Sequence, residues 1–146
     1  MIRNIKEQDL VICADLLQKA YNKSPYNENF VGDNAYQYIL EKYNNCKNDS
    51  FVFVDDNLEI LGFIFLRLST WSSGPQAILE EIVVKPLNQN IGIGKELMNY
   101  SYDYLNSKGI KSVMLWAKND ERLLNFYKKH GFSMADDFVV MFKNSN

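Results

Sequence analysis

The sequence predicts an α/β (α+β) chain built on a mixed, mostly antiparallel central sheet of about six to seven strands with about four flanking helices. Three observations carry that expectation. β-prone and amphipathic segments alternate in the order β-α-α-β-β-β-α-β-α-β-β along the 146 residues. Strands separated by helices are thereby driven to pair in parallel, and those joined by short turns to pair antiparallel. Hydrophobic residues make up 47% of the chain, enough to fill one core, and no repeat, low-complexity tract or Pro/Ser-rich linker interrupts residues 1–146, so a single domain is expected.

Each element has its own signal. Residues 2–5 form a short apolar strand. Leu10, Ala14, Leu17 and Tyr21 then recur at helical spacing and give an amphipathic helix of three to four turns. Residues 22–32 are rich in Asn and contain Pro25, a loop signature. A second helix is expected over 33–43, with Tyr36, Ile39, Leu40 and Tyr43 on one face. The β-prone runs 51–54 and 60–68 flank Asp55-Asp56-Asn57 and read as a hairpin. Residues 69–76, with Trp71, Gly74 and Pro75, read as a loop, and 77–84 as a further strand closed by Pro86. A helix over 92–106 is followed by Gly109, a strand over 113–117, and a helix over 121–130 stopped by Gly131. Residues 132–134 and 138–142 complete the sheet. An exposed strand edge at 138–142 could be covered by pairing with a second copy, so a homodimer is one assembly the sequence allows, with the oligomeric state left open.

Composition excludes several function classes. The formal net charge of −2 argues against a nucleic-acid partner bound by phosphate neutralisation. No apolar run approaches the roughly 20 residues that span a bilayer, and residues 1–6 lack the apolar stretch of a signal peptide. A cytoplasmic location without membrane contact is expected. The two cysteines, Cys13 and Cys46, are too few and too far apart for a zinc site, so no metal is expected, and both read as reduced thiols. His130 is the single histidine. It stands at a helix C-terminus, where interaction with the helix end is its ordinary role.

Two segments carry chemistry. After the strand ending at Pro86 comes Gln89-Asn90-Ile91-Gly92-Ile93-Gly94, followed at once by a helix. Glycines at 92 and 94 permit close backbone packing, and a helix's first turn offers unpaired N–H groups. Together these make a cup suited to a pyrophosphate, although a tight βα connection would use glycine in the same way. Counting spacings removes two other phosphate motifs. A P-loop requires Gly where Gln89 stands and Ser or Thr where Glu96 stands. A dinucleotide fingerprint requires a small residue at Leu97. The second segment places Asn119, Leu123, Tyr127 and Gly131-Phe132 at intervals of four. Tyr127 lies two helical turns above Asn119, where a phenol could protonate a leaving thiolate or simply fill the core.

Together the two segments resemble the GNAT superfamily of acetyl-CoA-dependent N-acyltransferases. Gln89-x-x-Gly92-x-Gly94 is similar to its pyrophosphate signature, and Val83-Val84-Lys85-Pro86 to the strand end that precedes it. Asn119 with Asn125-Phe126-Tyr127-Lys128-Lys129-His130-Gly131-Phe132 is similar to its Asn…Tyr…Gly-Phe segment. The resemblance runs from about Phe51 to Phe142. It implies that acetyl-CoA is the co-substrate, with Val83, Val84 and Lys85 bonding the pantetheine through their splayed strand. Gln89, Asn90, Ile91, Gly92, Ile93, Gly94 and Lys95 would cradle the pyrophosphate, Asn119 would contact the cofactor arm, and Tyr127 would be the general acid at sulfur. Many members carry Arg or Lys where Asn90 or Ile91 stands. Here Lys95 is the one cation in the turn, so backbone donors and Lys85 or Lys95 would carry more of the binding.

The implied reaction needs the acceptor ammonium deprotonated, for which Glu80 and Glu81 on the strand Leu79-Glu80-Glu81-Ile82 are the candidates. Strand alternation puts adjacent side chains on opposite faces, so at most one should reach the amine. Glu80, six residues before Pro86, is the first choice and Glu81 the second, with a water relay as the remaining alternative. Tyr26, Phe30 and Trp71 are the acceptor-side candidates, aromatic walls near Glu28. The function implied is acetyl transfer to a primary amine of a small molecule in a ternary complex. A protein or peptide N-terminal acetyltransferase and a non-catalytic acyl-CoA-binding sensor are the alternatives.

Overall fold

A computed structural model describes residues 1–145. They fall into two compact units, Met1–Trp116 and the residues from Ala117 onward. The first contains β1 (Ile2–Asn4), α1 (Leu10–Tyr21), α2 (Asn34–Cys46), β2 (Ser50–Val54), β3 (Ile60–Trp71), β4 (Gly74–Val84), α3 (Ile93–Ser107) and β5 (Val113–Met114). The second contains α4 (Glu121–Lys129).

Five strands form one sheet in the order β1-β2-β3-β4-β5. The first four are antiparallel neighbours. β5, reached through the single helix α3, pairs with β4 in parallel, as one crossover helix requires. The parallel pairing expected wherever helices intervene fails between β1 and β2, which are antiparallel although α1 and α2 separate them, because two helices in succession return the chain to the end at which the first strand left the sheet. The sheet thus has the mixed, mostly antiparallel character expected, with five strands in place of six to seven. Residues 132–134 and 138–142 are not strands, and β5 stops at Met114 rather than 117. The reason is exposure. Phe138, Val139, Val140, Met141 and Phe142 are 63–88% exposed, and β propensity expresses itself only on a paired, half-buried surface. The strand edge that a second copy could cover is therefore absent.

The hairpin from β3 to β4 is also tighter than the loop expected over 69–76. Trp71 pairs with Gly74, which leaves Ser72 and Ser73 as a two-residue turn, with Gly74 at φ 121° directly after it.

Side chains divide the first unit's core between the two sheet faces. Phe63, Phe65, Val52, Val54 and Val83 pack with Leu10, Leu17 and Ile39 of α1 and α2. On the other face Phe51 meets the rings of Tyr100 and Tyr104 of α3, centroids 4.9 Å away. Gly62 lets α3 come that close. A Cβ there would lie 2.9 Å from the Val83 carbonyl oxygen, 3.2 Å from Ile93 and 3.3 Å from Leu97. No helix among the described residues is long and apolar enough to cross a membrane.

Candidate active site

The chemistry of the first unit concentrates on β4. Its register with β3 runs Phe65 to Glu81 and then Leu66 to Leu79, so Glu80 is an extra residue in a β-bulge. A bulge breaks strict alternation and re-aims the side chains beside it. In consequence Glu80 and Glu81 both reach residues of α2, and the expectation that they face opposite sides fails at this point of the strand.

The two carboxylates have different surroundings. Glu80 is gripped by cations: Lys42 Nζ lies 2.8 Å from one oxygen and Arg67 Nε 2.6 Å from the other. Burial opposes its charge, but the bonds from Lys42 and Arg67 outweigh that and hold its carboxyl below the usual range. Glu81 is 8% exposed and is met by phenols. The Tyr21 hydroxyl donates to its two oxygens at 3.1 and 2.9 Å, the Tyr38 hydroxyl at 2.8 Å, and the Ile82 N–H at 3.3 Å. Burial pushes this carboxyl up to about 7, even though the donors from Tyr38 and Tyr21 pull it down. Desolvation wins because neither phenol brings a positive charge. Tyr21 and Tyr38 are themselves shifted up, first by burial and then by the adjacent Glu81.

Aromatic rings continue outward from this carboxylate. Tyr26 stacks on Tyr21 at 4.2 Å, and Phe30 meets Tyr21 edge-on at 6.0 Å and Tyr38 at 6.5 Å. The segment between α1 and α2 is tied back by the Glu28 N–H, which bonds the Tyr21 carbonyl at 2.8 Å. Two of the acceptor-side candidates, Tyr26 and Phe30, are thus gathered around Glu81. Trp71 is not. It stands 65% exposed at the hairpin tip, six residues along β3 from the partner of Glu81, a strand distance of about 20 Å.

Sequence reasoning missed Tyr21 and Tyr38 as polar partners. The available signal was a tyrosine at a leucine-like helical position, since a buried phenol must satisfy its hydroxyl. Tyr38 and Lys42 also stand at i and i+4, so one face of α2 delivers a donor to Glu81 and a cation to Glu80.

The other end of β4 is built from backbone. β5 pairs only with Ala77 and Ile78, so among the described residues the β5-side edge of β4 has no strand partner from Leu79 onward. Its N–H and C=O groups there suit an extended amide-bearing chain. The strand end is fixed by the Lys85 N–H on the Leu61 carbonyl at 2.8 Å, and the Lys85 ammonium bonds Glu59. After a 3-10 turn at Pro86–Asn88, the Gln89 amide donates back to the Val84 carbonyl at 3.2 Å. Asn90 has φ 66° and Gly92 φ 96°, left-handed values that favour Asn and Gly. Gly92 is the N-cap of α3, and its carbonyl takes the first helical bond from Glu96 N–H. The N–H groups of Ile93, Gly94 and Lys95 lie in the first turn, where no helical carbonyl reaches them. Ile91 is 67% exposed and Ile93 is buried at 4%; Lys95 is exposed. Backbone donors and an open turn fit a diphosphate.

In the second unit, Asp120 rather than Asn119 caps α4, accepting from Leu123 N–H at 3.1 Å. Asn119 stands one residue before it, exposed. Tyr127 is half-buried and meets Phe126 at 5.3 Å and Phe132 at 5.8 Å. The Phe132 N–H returns to the Tyr127 carbonyl at 3.1 Å while Gly131 takes φ 88°, so the expected glycine stop is in place.

Comparison with known proteins follows the same pattern. Residues 14–132 match the model of the acetyltransferase (GNAT) family. The chain is 36% identical over 86 residues to a mycothiol acetyltransferase of Renibacterium salmoninarum, covering 57% of this chain and 25% of the relative. It is 32% identical over 63 residues to the chloroplastic serotonin N-acetyltransferase 2 of Oryza sativa subsp. japonica, covering 43% and 30%. The chain therefore spans less than a third of the length of either relative. Its fold matches a solved structure described as a possible acetyltransferase from Clostridium difficile 630, with a TM-score of 0.82 at 12% identity over 100% of this chain and 98% of that one.

Proposed function

The chain belongs to the acetyltransferase (GNAT) family, and from that premise we propose that it transfers the acetyl group of acetyl-CoA to a primary amine of a small molecule by direct attack in a ternary complex. One run of geometry supports this most. β4 carries a buried carboxylate at Glu81, has no β5 partner beyond Ile78, and ends in a left-handed turn at the start of α3.

Within this reading the edge at Val83, Val84 and Lys85 bonds the pantetheine amides. The turn from Gln89 to Lys95 receives the pyrophosphate through backbone donors, and Asn119 contacts the cofactor arm. Bound acetyl-CoA supplies an activated thioester, whose carbon–sulfur bond breaks as the amine nitrogen forms the amide. Glu81 takes the proton from the acceptor ammonium, and Tyr127 donates one to the departing thiolate. Glu81 replaces Glu80 as the preferred base because its carboxyl is poised about 7, where acceptance and release of a proton are both accessible at neutral pH. Glu80, held ionised between two cations, is a weak acceptor and serves to tie α2 to the sheet. The aromatic surroundings of Glu81 and a relative named for serotonin, itself a small primary amine, favour a small acceptor over a peptide.

A thermal shift comparing acetyl-CoA with ATP and NAD tests the cofactor. Steady-state thiol release against panels of small amines and N-terminal peptides tests the reaction. Stabilisation by acetyl-CoA alone, with thiol release on a small amine, is the expected result. Binding without turnover on any amine or peptide would reduce the protein to an acyl-CoA-binding sensor.

A further inference from the structure

We propose that Tyr21 and Tyr38 are positioning residues for the acetyl transfer, their hydroxyls converging from α1 and α2 to hold the Glu81 carboxylate in one orientation and to set how readily it takes a proton. The inference rests on the reading of Glu81 as the base.

The geometry is a two-sided clamp. Tyr38 bonds Oε2 at 2.8 Å, and Tyr21 reaches Oε2 at 2.9 Å and Oε1 at 3.1 Å. The Ile82 N–H lies near Oε1 at 3.3 Å. A carboxylate bound from two helices and from its own strand has little freedom to rotate. Each phenol is in turn held by its ring: Tyr21 between Tyr26 and Phe30, and Tyr38 against Phe30 and under Lys42, whose Nζ is 5.1 Å from its centroid. Clamp and acceptor wall are thus one aromatic cluster.

The clamp also bears on charge. Two phenolic donors favour the ionised carboxylate without neutralising it. They offset part of the desolvation and leave the group able to cycle between acid and base, which a cation in their place would prevent. Neighbouring Glu80 shows that alternative, with Lys42 and Arg67 in contact. The titratable and charged groups that bear on Glu81 are Tyr21 of α1 and Tyr38 and Lys42 of α2, with Tyr26 stacked behind Tyr21 and Arg67 paired with the adjacent Glu80.

The test is Tyr38→Phe, with Tyr21→Phe as a second variant should the first fail to fold. Each removes a single oxygen and keeps the ring. The Glu81 carboxyl is titrated directly by carbon NMR on glutamate-labelled protein, and the acid limb of kcat/KM is measured in parallel. Losing one donor should raise both midpoints together by about one pH unit, which lowers the rate below the limb by about tenfold. Acetyl-CoA affinity should stay unchanged. An unmoved carboxyl midpoint in folded variants would refute the clamp while leaving Glu81 as the base. A carboxyl midpoint that moves while the acid limb stays still would overturn the proposal differently, by removing Glu81 from the rate.

Discussion

The two ends of β4 reach their chemistry by different means. At Glu80 and Glu81 the bulge turns neighbouring side chains toward one helix, and each carboxylate takes its character from residues 13 to 60 positions away in sequence. From Val84 to Gly94 the partners are local: the Gln89 amide on the Val84 carbonyl, a 3-10 turn, and two left-handed residues before α3. One end is a side-chain site assembled by packing; the other is a backbone site assembled by turn geometry. The contrast implies that substitutions at the first should change rate and pH response, and those at the second should change stability and cofactor affinity.

The sharpest way to break that division is to treat the paired glutamates alike. Glu81→Gln should lower kcat by about 10²–10⁴-fold, the span of a lost general base, with acetyl-CoA affinity intact. Glu80→Gln should retain most of the rate. Its cost is structural, about 1 kcal/mol, because Lys42 and Arg67 are partly solvated and can rehydrate. Steady-state thiol release and chemical denaturation on both variants give the answer. A larger loss of rate from Glu80→Gln would reinstate Glu80 as the base.

The same pair should respond to pH with opposite sign. Glu81 has a folded midpoint of about 7 against an ordinary value of 4.5. The folded chain therefore binds the extra proton between those values, and the stability this contributes is complete below 4.5 and lost as pH rises through 7. Relative to Glu81→Gln, the parent protein should lose up to about 3 kcal/mol across that window. Glu80 is shifted down, so its contribution is complete above its unfolded midpoint and fades as pH falls. Urea midpoints measured from pH 4 to 8 would separate the two. Parallel curves for the two variants would mean that the carboxylates share one environment.

These contrasts also mark what was legible in the sequence. The glycine spacing at 92 and 94 and the strand end at Pro86 made the turn before α3 legible because its contacts are local and its conformations restrict residue type. The helices over α1, α2, α3 and α4 were legible for a similar reason, since apolar spacing and glycine stops act within a few residues. The base was not. Alternation along a strand is a good rule until a bulge breaks it, and nothing in Leu79-Glu80-Glu81-Ile82 announces a bulge. Nor did Tyr21 or Tyr38 announce a carboxylate partner. The β-prone run at 138–142 misled for the complementary reason: propensity describes what a residue suits once a paired surface exists, and these side chains stand exposed.

Two glycines, Gly62 on the neighbouring β3 and Gly92 in the turn itself, sharpen the comparison because they are needed for different reasons. Gly62→Ala should cost about 1–3 kcal/mol. Its Cβ would lie 2.9 Å from a backbone oxygen on the neighbouring strand, and backbone cannot give way as a side-chain tip can. Gly92→Ala should cost about 1 kcal/mol, because its Cβ meets nothing within 4 Å and only the left-handed φ is penalised. Affinity should rank the other way. The open space above Gly92 is where the turn would receive the diphosphate, so a methyl there should weaken acetyl-CoA more, for its smaller loss of stability, than one buried beneath α3. Melting temperature and acetyl-CoA titration on the two variants give both rankings. An unchanged acetyl-CoA affinity in Gly92→Ala would leave the turn with a structural role and move the pyrophosphate elsewhere.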